Sequence, residues 1–362
     1  MKKASLRGLA ATVAAGAIAV LAISAPSHAL PDTQTPPEAD TESTVEQWPP
    51  GLTERDVDPD SVRGPSGQKI SIPTHRSPEG GQTTHPSVVR VPGGWNGFEY
   101  WMAHTPYPGG DDRYEDPNIV ASHDGIAWST PRGLRNPIDD RPGSPGPYNS
   151  DVDLRMGPSD TMYLFWRTLM PEQRQERLYY STSTDGVTWS AKKEFMRNDM
   201  SVRRLLSPSL LYENGRWVMW AVDMKPSPNR VVYLKGGPRP ESGWSSPARV
   251  DVGELREDRE PWHLWIGKFD GEYLGLLNDS TRSTTGHDGD LLFIAGNGHR
   301  DFDNSGRSII PRFQAGRHDH LYRASMIADF QNGRPGYRVW YSARLEGEPD
   351  VWNVLVTFVR DR

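Results

Sequence analysis

One seven-residue turn occurs twice in this chain. Ser122-His123-Asp124-Gly125-Ile126-Ala127-Trp128 and Ser183-Thr184-Asp185-Gly186-Val187-Thr188-Trp189 agree at Ser, Asp, Gly and Trp. An Asp-Gly pair makes a tight turn with a residue at positive φ. The Trp that follows is placed to pack back between sheets. Each copy closes a larger unit of a polar-starting strand, an aromatic strand and a short apolar strand. Five such units tile the chain from about residue 69 onward. Repetition of this kind predicts an all-β fold, a five-bladed β-propeller of four-stranded antiparallel blades. A propeller brings the first strand of every blade to one axis, so residues distant in sequence converge there.

The units read as follows. Blade 1 holds His85 to Val89, Tyr100 to Ala103 and Asn118 to Ala121. Blade 2 holds Asp151 to Leu154, Tyr163 to Trp166 and Leu178 to Ser181. Blade 3 holds Ser207 to Leu211, Trp217 to Trp220 and Val231 to Leu234. Blade 4 holds Trp262 to Ile266, Tyr273 to Leu276 and Leu291 to Ile294. Blade 5 holds Tyr322 to Met326, Tyr337 to Trp340 and Trp352 to Val356. Asn214-Gly215, Asp270-Gly271 and Asn332-Gly333 are hairpin signals between first and second strands. The last blade lacks an outer strand before the chain ends, and Lys69-Ile70-Ser71-Ile72 is expected to supply it. No segment keeps helical spacing, and 32 prolines oppose long helices. A pair of β-sandwiches is the competing architecture.

Residues 1–29 read as a secretory signal peptide. Lys2, Lys3 and Arg7 precede an apolar run from Leu9 to Ile23, and Ser27-His28-Ala29 is a small-x-small cleavage site. Residues 30–67, rich in Pro, Thr, Asp and Glu, read as a disordered linker, and 68–362 as the propeller domain. The expected product is an extracellular bacterial protein. It contains no cysteine, which excludes disulfides and thiolate chemistry. Loss of the leader's three cations takes the net charge from −6 to −9. Nucleic acid and membrane are therefore excluded as partners, and a monomer acting on a polysaccharide or oligosaccharide is expected. Thirteen Trp and thirteen Tyr supply faces on which sugars stack.

The strand starts nominate the chemistry. Asp151 and Asp153 alternate onto one face, where paired carboxylates are costly unless neutralised or used. Glu115-Asp116 lies in a Gly/Pro-rich loop of the kind that builds a funnel rim, and Glu260 is a further acid. Asp151, Asp153, Glu115 and Asp116 are the candidate catalytic residues. Glycoside hydrolysis needs two such groups, one to protonate the leaving oxygen and one to activate water or attack carbon. His85, Arg204, Trp262, His263, Tyr322 and Arg323 are candidate substrate-binding residues; Trp101, Tyr107 and Trp265 are further stacking faces. His85, His263 and His320 come from three blades, but no local metal motif is present. The expectation is no metal ligand set and no required cofactor, with room for a structural Ca2+ in the channel. An ion network lining a watery channel is the structural alternative for the charged residues.

With those residues in place, the chain over about 69–362 resembles the secreted five-bladed propeller glycoside hydrolases, the arabinanase, xylosidase and invertase-like group. The resemblance rests on the five strand triplets, the Ser-x-Asp-Gly-x-x-Trp turns, and segments such as Glu99 to Ala103 and Tyr337 to Ala343. It implies an Asp base in blade 1, a second Asp in blade 2 and a Glu acid in blade 3. Asp151 or Asp153 fits blade 2. Blade 1 instead offers His85-Pro86-Ser87, and blade 3 offers Ser207-Pro208-Ser209. The function implied is a secreted glycoside hydrolase cleaving a polysaccharide, such as arabinan or another furanose-containing glycan. A noncatalytic carbohydrate-binding or cell-surface propeller is the alternative, and a sialidase-like enzyme a third.

Overall fold

The computed structural model describes residues 67–360, apart from 283–288, 312–317, 332–333 and 349. The expected leader, the linker up to residue 66 and the Asn332-Gly333 turn lie outside the described residues. The described chain forms five four-stranded antiparallel sheets. β1 is Gln68–Lys69. Blade 1 is β2 (Thr83–Trp95), β3 (Phe98–Pro106), β4 (Asn118–Ser122) and β5 (Trp128–Ser129). Blade 2 is β6 (Tyr148–Met156), β7 (Met162–Met170), β8 (Gln175–Ser183) and β9 (Lys193–Asp199). Blade 3 is β10 (Leu205–Glu213), β11 (Arg216–Asp223), β12 (Arg230–Lys235) and β13 (Ala248–Arg249). Blade 4 is β14 (Arg259–Phe269), β15 (Glu272–Thr281), β16 (Leu291–Gly296) and β17 (Asp303–Ile310). Blade 5 is β18 (His318–Gln331), β19 (Arg334–Leu345) and β20 (Trp352–Arg360), completed by β1. β1 pairs with β20 through Gln68↔Val356 and Lys69↔Leu355. The segment thus closes the ring, as the missing outer strand required, with Ile70 N adding a bond to Val354 O at 3.1 Å beyond the paired residues.

The repeated turns join neighbouring blades. Ser122 Oγ accepts from Gly125 N at 2.9 Å, and Asp124 Oδ1 from Ile126 N and Ala127 N at 2.8 Å each. Ser183 and Asp185 repeat the pattern on Gly186, Val187 and Thr188. Gly125 and Gly186 sit at φ 73° and 70°. Each glycine lies against a tryptophan of the preceding blade: Trp340 Nε1 donates to Gly125 O, and Gly186 packs on the Trp101 ring. Trp101 and Trp340 are fully buried. Trp101 is therefore core, and so is Trp265, which lies under Arg155; neither offers a face to a sugar.

Every first strand is bulged near its start. The register slips between Thr84 and Ser87, Ser150 and Asp153, Leu206 and Ser209, Pro261 and His263, and Leu321 and Ala324. In blades 1 to 3 the bulged residue is left-handed: His85 at φ 57°, Asp151 at 50° and Ser207 at 55°. A non-glycine residue there costs about 1–2 kcal/mol, and such positions cluster where side chains must be re-aimed for function.

The residue after each bulge has another task. Ser87 Oγ accepts from Leu154 N of blade 2, Asp153 Oδ2 from Leu210 N of blade 3, and Ser209 Oγ from Ile266 N of blade 4. Ser325 Oγ accepts from Val88 N of blade 1. Blade 4 has Trp265 at the corresponding place. These bonds clasp the innermost strands to one another around the axis.

Candidate active site

The bulges separate Asp151 from Asp153, which simple alternation put on one face. Their hydrogen-bond and ion-pair partners differ entirely. Asp153 lies in the clasp. It accepts from Arg155 Nε at 2.9 Å and Nη2 at 3.2 Å, Arg323 Nη2 at 3.3 Å, Ser87 Oγ at 3.1 Å and Leu210 N at 2.8 Å. Arg155 continues to Ser209 Oγ and Ile266 O, and Arg323 to Pro208 O. The cluster touches all five blades and is buried. Arg323 is fully enclosed in it, as the residues around Asp151 are in theirs.

Asp151 lies in the other layer, with the remaining bulge residues. Its Oδ1 is 3.5 Å from His85 Nε2 and 3.3 Å from His263 Nδ1, and its Oδ2 is 2.7 Å from Arg167 Nη2. His263 Nδ1 is also 3.0 Å from Ser207 Oγ. Tyr322 closes the group, its ring 3.9 Å from that of His263 and 5.0 Å from that of His85. His85, Asp151 and His263 can each present one ligand atom within 4.8 Å of the others. All three are buried.

Burial pushes the Asp151 carboxyl up, but Arg167 and the two histidines hold it well below the usual carboxylate range. Burial pushes both imidazoles down, His85 strongly, against the pull of Asp151. Burial thereby favours the neutral imidazole, the form that ligates metals. Glu115 stands on the other side of His85, with Oε1 3.5 Å from Nδ1. Burial, reinforced by the Asp151 charge, raises it well above the normal range. The site thus holds one carboxyl pushed down and one pushed up, a split that assigns acid and base roles in hydrolases.

Other candidates sit elsewhere. Asp116 is buried on the loop before β4, accepting from Asn149 Nδ2 at 2.8 Å and Arg141 N at 3.0 Å. It fastens the loop that follows β5. Glu260 accepts from Asn229 N at 2.9 Å. His320 pairs with Asp319 beside Arg344 and is not in the metal-competent group. Trp262 is half-buried, its ring 5.9 Å from that of His263. Arg204, also half-buried, lies within electrostatic reach of Arg167, Tyr148, Glu176 and Asp151.

Sequence reasoning missed Arg167 and Glu176. Arg167 bridges Asp151 and Glu176, the latter at 3.3 Å, and Glu176 also accepts from Asn198 Nδ2 and Leu205 N. The signal was a charge at the end of the apolar run Tyr163 to Trp166. Trp352 was read only as a strand residue, yet its ring lies 5.6 Å from Tyr322 and 6.1 Å from Tyr107.

No protein-family model matches the chain. In structure it is similar to an N-acetylgalactosamine deacetylase from Flavonifractor plautii, solved with blood group B trisaccharide. The TM-score is 0.71 at 21% identity, covering 83% of this chain and 95% of that one. The likeness is one of fold, the five-bladed β-propeller. A thermostable family-43 glycoside hydrolase shares the propeller at TM-score 0.57 and 9% identity, covering 76% of this chain and 89% of that one. The catalytic domain of a GH62 α-L-arabinofuranosidase from Coprinopsis cinerea shares it at 0.53 and 15%, covering 83% and 98%. In sequence, the chain is 29% identical to the A type blood N-acetyl-α-D-galactosamine deacetylase of F. plautii over 50% of its own length. It spans 29% of that protein. The hydrolase propellers thus include a deacetylase among the neighbours of this chain.

Proposed function

We propose that this protein is a glycan-acting hydrolase that removes the acetyl group from an N-acetylated sugar, with His85, Asp151 and His263 as seats for a divalent cation. The observation that carries this reading is the polar triad itself. Among the described residues, His85 Nε2, His263 Nε2 and Asp151 Oδ1 are buried without a well-formed hydrogen bond, Oδ1 having only the 3.3 Å approach of His263 Nδ1 and the 3.5 Å approach of His85 Nε2, and a cation would relieve that state. Two ligand atoms of a tetrahedral ion with bonds of about 2.0–2.1 Å stand roughly 3.4 Å apart. His85 Nε2 and Asp151 Oδ1 are 3.5 Å apart. Two neutral imidazoles and one carboxylate suit zinc or a similar ion. When bound, the ion would polarise the amide carbonyl and acidify water. The deacetylase among the similar proteins supports the same chemistry.

The protein's own residues then have distinct tasks. Arg167 holds Asp151 by Oδ2 and leaves Oδ1 turned to the histidines. Tyr322 packs on both rings and keeps water from their faces. Glu115, one imidazole away and favoured in its protonated form, gives its proton to the sugar nitrogen as the C–N bond breaks, and regains one from the water-derived hydroxyl of the departing acetic acid. Acetate and the amino sugar leave. The leader-like residues 1–29 support export, and we place the enzyme outside the cell acting as a monomer.

A second reading is cleavage of a glycosidic bond, in a furanose-containing or other polysaccharide, by Glu115 as acid and Asp151 as its ionised partner. The split titration of that pair favours it. One experiment separates the two: acetate and reducing ends are measured together on N-acetylated and arabinan-type glycans. Acetate release that is lost on chelation and in His263→Ala, with bound metal falling in both by elemental analysis, upholds deacetylation. Reducing ends without acetate, insensitive to chelator, uphold the second reading.

A further inference from the structure

Arg204 immediately precedes β10, at the edge of the same layer. Among the described residues its guanidinium makes no hydrogen bond or ion pair, and its Nε is buried without a partner. The acids within reach are committed. Asp151 Oδ2 is held by Arg167, and Glu176 spends Oε1 on Arg167 and Oε2 on Asn198 and the Leu205 amide. Arg204 also faces a second cation, Arg167, which adds to burial in pressing its own charge. The Tyr148 ring is the other close group, and burial keeps its hydroxyl protonated. Among the described residues neither side chain makes a hydrogen bond, and both offer donors. Arg204 is half-buried with only its Nε cut off from a partner, so its guanidinium is open to an anionic ligand that supplies the acceptor Nε lacks.

We infer that Arg204, with Tyr148, binds a carboxylate on the sugar next to the reacting residue, so that the preferred substrates are N-acetylated glycans containing uronic acid. This rests on the deacetylase reading and narrows it. The planar guanidinium fork matches a carboxylate by two parallel hydrogen bonds, which a neutral hydroxyl cannot supply. A cation seated on the triad would add to the positive field and favour an anion further.

The test uses a matched pair: a desulfated chondroitin tetrasaccharide, in which N-acetylgalactosamine alternates with glucuronate, and its carboxyl-reduced form. The wild-type protein should release acetate from the acid form with kcat/KM at least about tenfold higher, the worth of a charge-assisted hydrogen bond. In Arg204→Gln the ratio should fall to about one, with Arg204→Lys between. Equal rates in the wild type, or a ratio that survives Arg204→Gln, overturn the inference. Calorimetric binding of both sugars is measured in parallel. If neither releases acetate, the deacetylase reading fails, and binding decides the anion site alone. Tighter binding of the acid form by the same factor, lost in Arg204→Gln, upholds the site; equal or absent binding overturns it.

Discussion

Asp153→Asn should unfold this protein more readily than any change at Asp151. Asp153 is buried and accepts five hydrogen bonds, from Arg155 twice, Arg323, Ser87 and the Leu210 amide. An amide in its place carries no charge and offers one oxygen. Two buried guanidinium groups then lose their counter-charge, and the Leu210 amide or the Ser87 hydroxyl loses its acceptor. Removing one partner of a buried ion pair costs about 3–5 kcal/mol. Against a typical total of roughly 5–15 kcal/mol, that is a large share. Urea unfolding followed by tryptophan fluorescence measures it, with chelator present so that metal binding does not mask the change. The comparison is Asp151→Asn, whose Arg167 partner keeps Glu176. That variant should fold, with a smaller loss of stability, and should lose turnover by orders of magnitude. An Asp153→Asn protein within about 1 kcal/mol of wild type would refute the clasp. So would one that keeps full stability and loses only activity, because it would place Asp153 in the chemistry instead.

Two further outcomes follow from other parts of the fold. Glu213 joins blades 3 and 4 by accepting from Tyr273 at 2.7 Å, Lys268 at 2.9 Å and His299. Burial raises its carboxyl, but those bonds bring it down to about 2, below its ordinary 4.5. Its contribution is therefore complete above pH about 4.5 and lost as pH falls through about 2; Glu213→Gln should be less stable than wild type at pH 7, and the gap in chemical denaturation should close over that acid range. Gly186→Ala puts a Cβ 2.3 Å from the Trp101 ring at a φ of 70°; overpacking of this kind costs about 1–3 kcal/mol, read as a lower urea midpoint, and an unchanged midpoint would show that the turn does not lock blade 2 to blade 1.

The sequence by itself determined the repeat, and with it the propeller. Period-two strands, Asn-Gly and Asp-Gly turns and the twin Ser-x-Asp-Gly-x-x-Trp signatures are local properties, set within a few residues, so they survive reading in one dimension. Even ring closure by the segment at Lys69 was legible, because a four-stranded blade lacking a strand must find one. It also marked His85, Asp151 and His263 as strand-start residues that converge. Tertiary structure alone decided what each does. The bulges, which depend on how neighbouring strands pair, turn Asp151 toward two histidines and leave Asp153 to arginines, although the residues are two apart. His263 rather than His320 meets His85, because blades 4 and 5 present different positions to the axis. Arg167 and Glu176 looked like ordinary strand charges until the packing of blade 2 buried them beneath Asp151. The identity of a side chain is written in the chain; its dielectric surroundings and its partners exist only once five blades close around an axis.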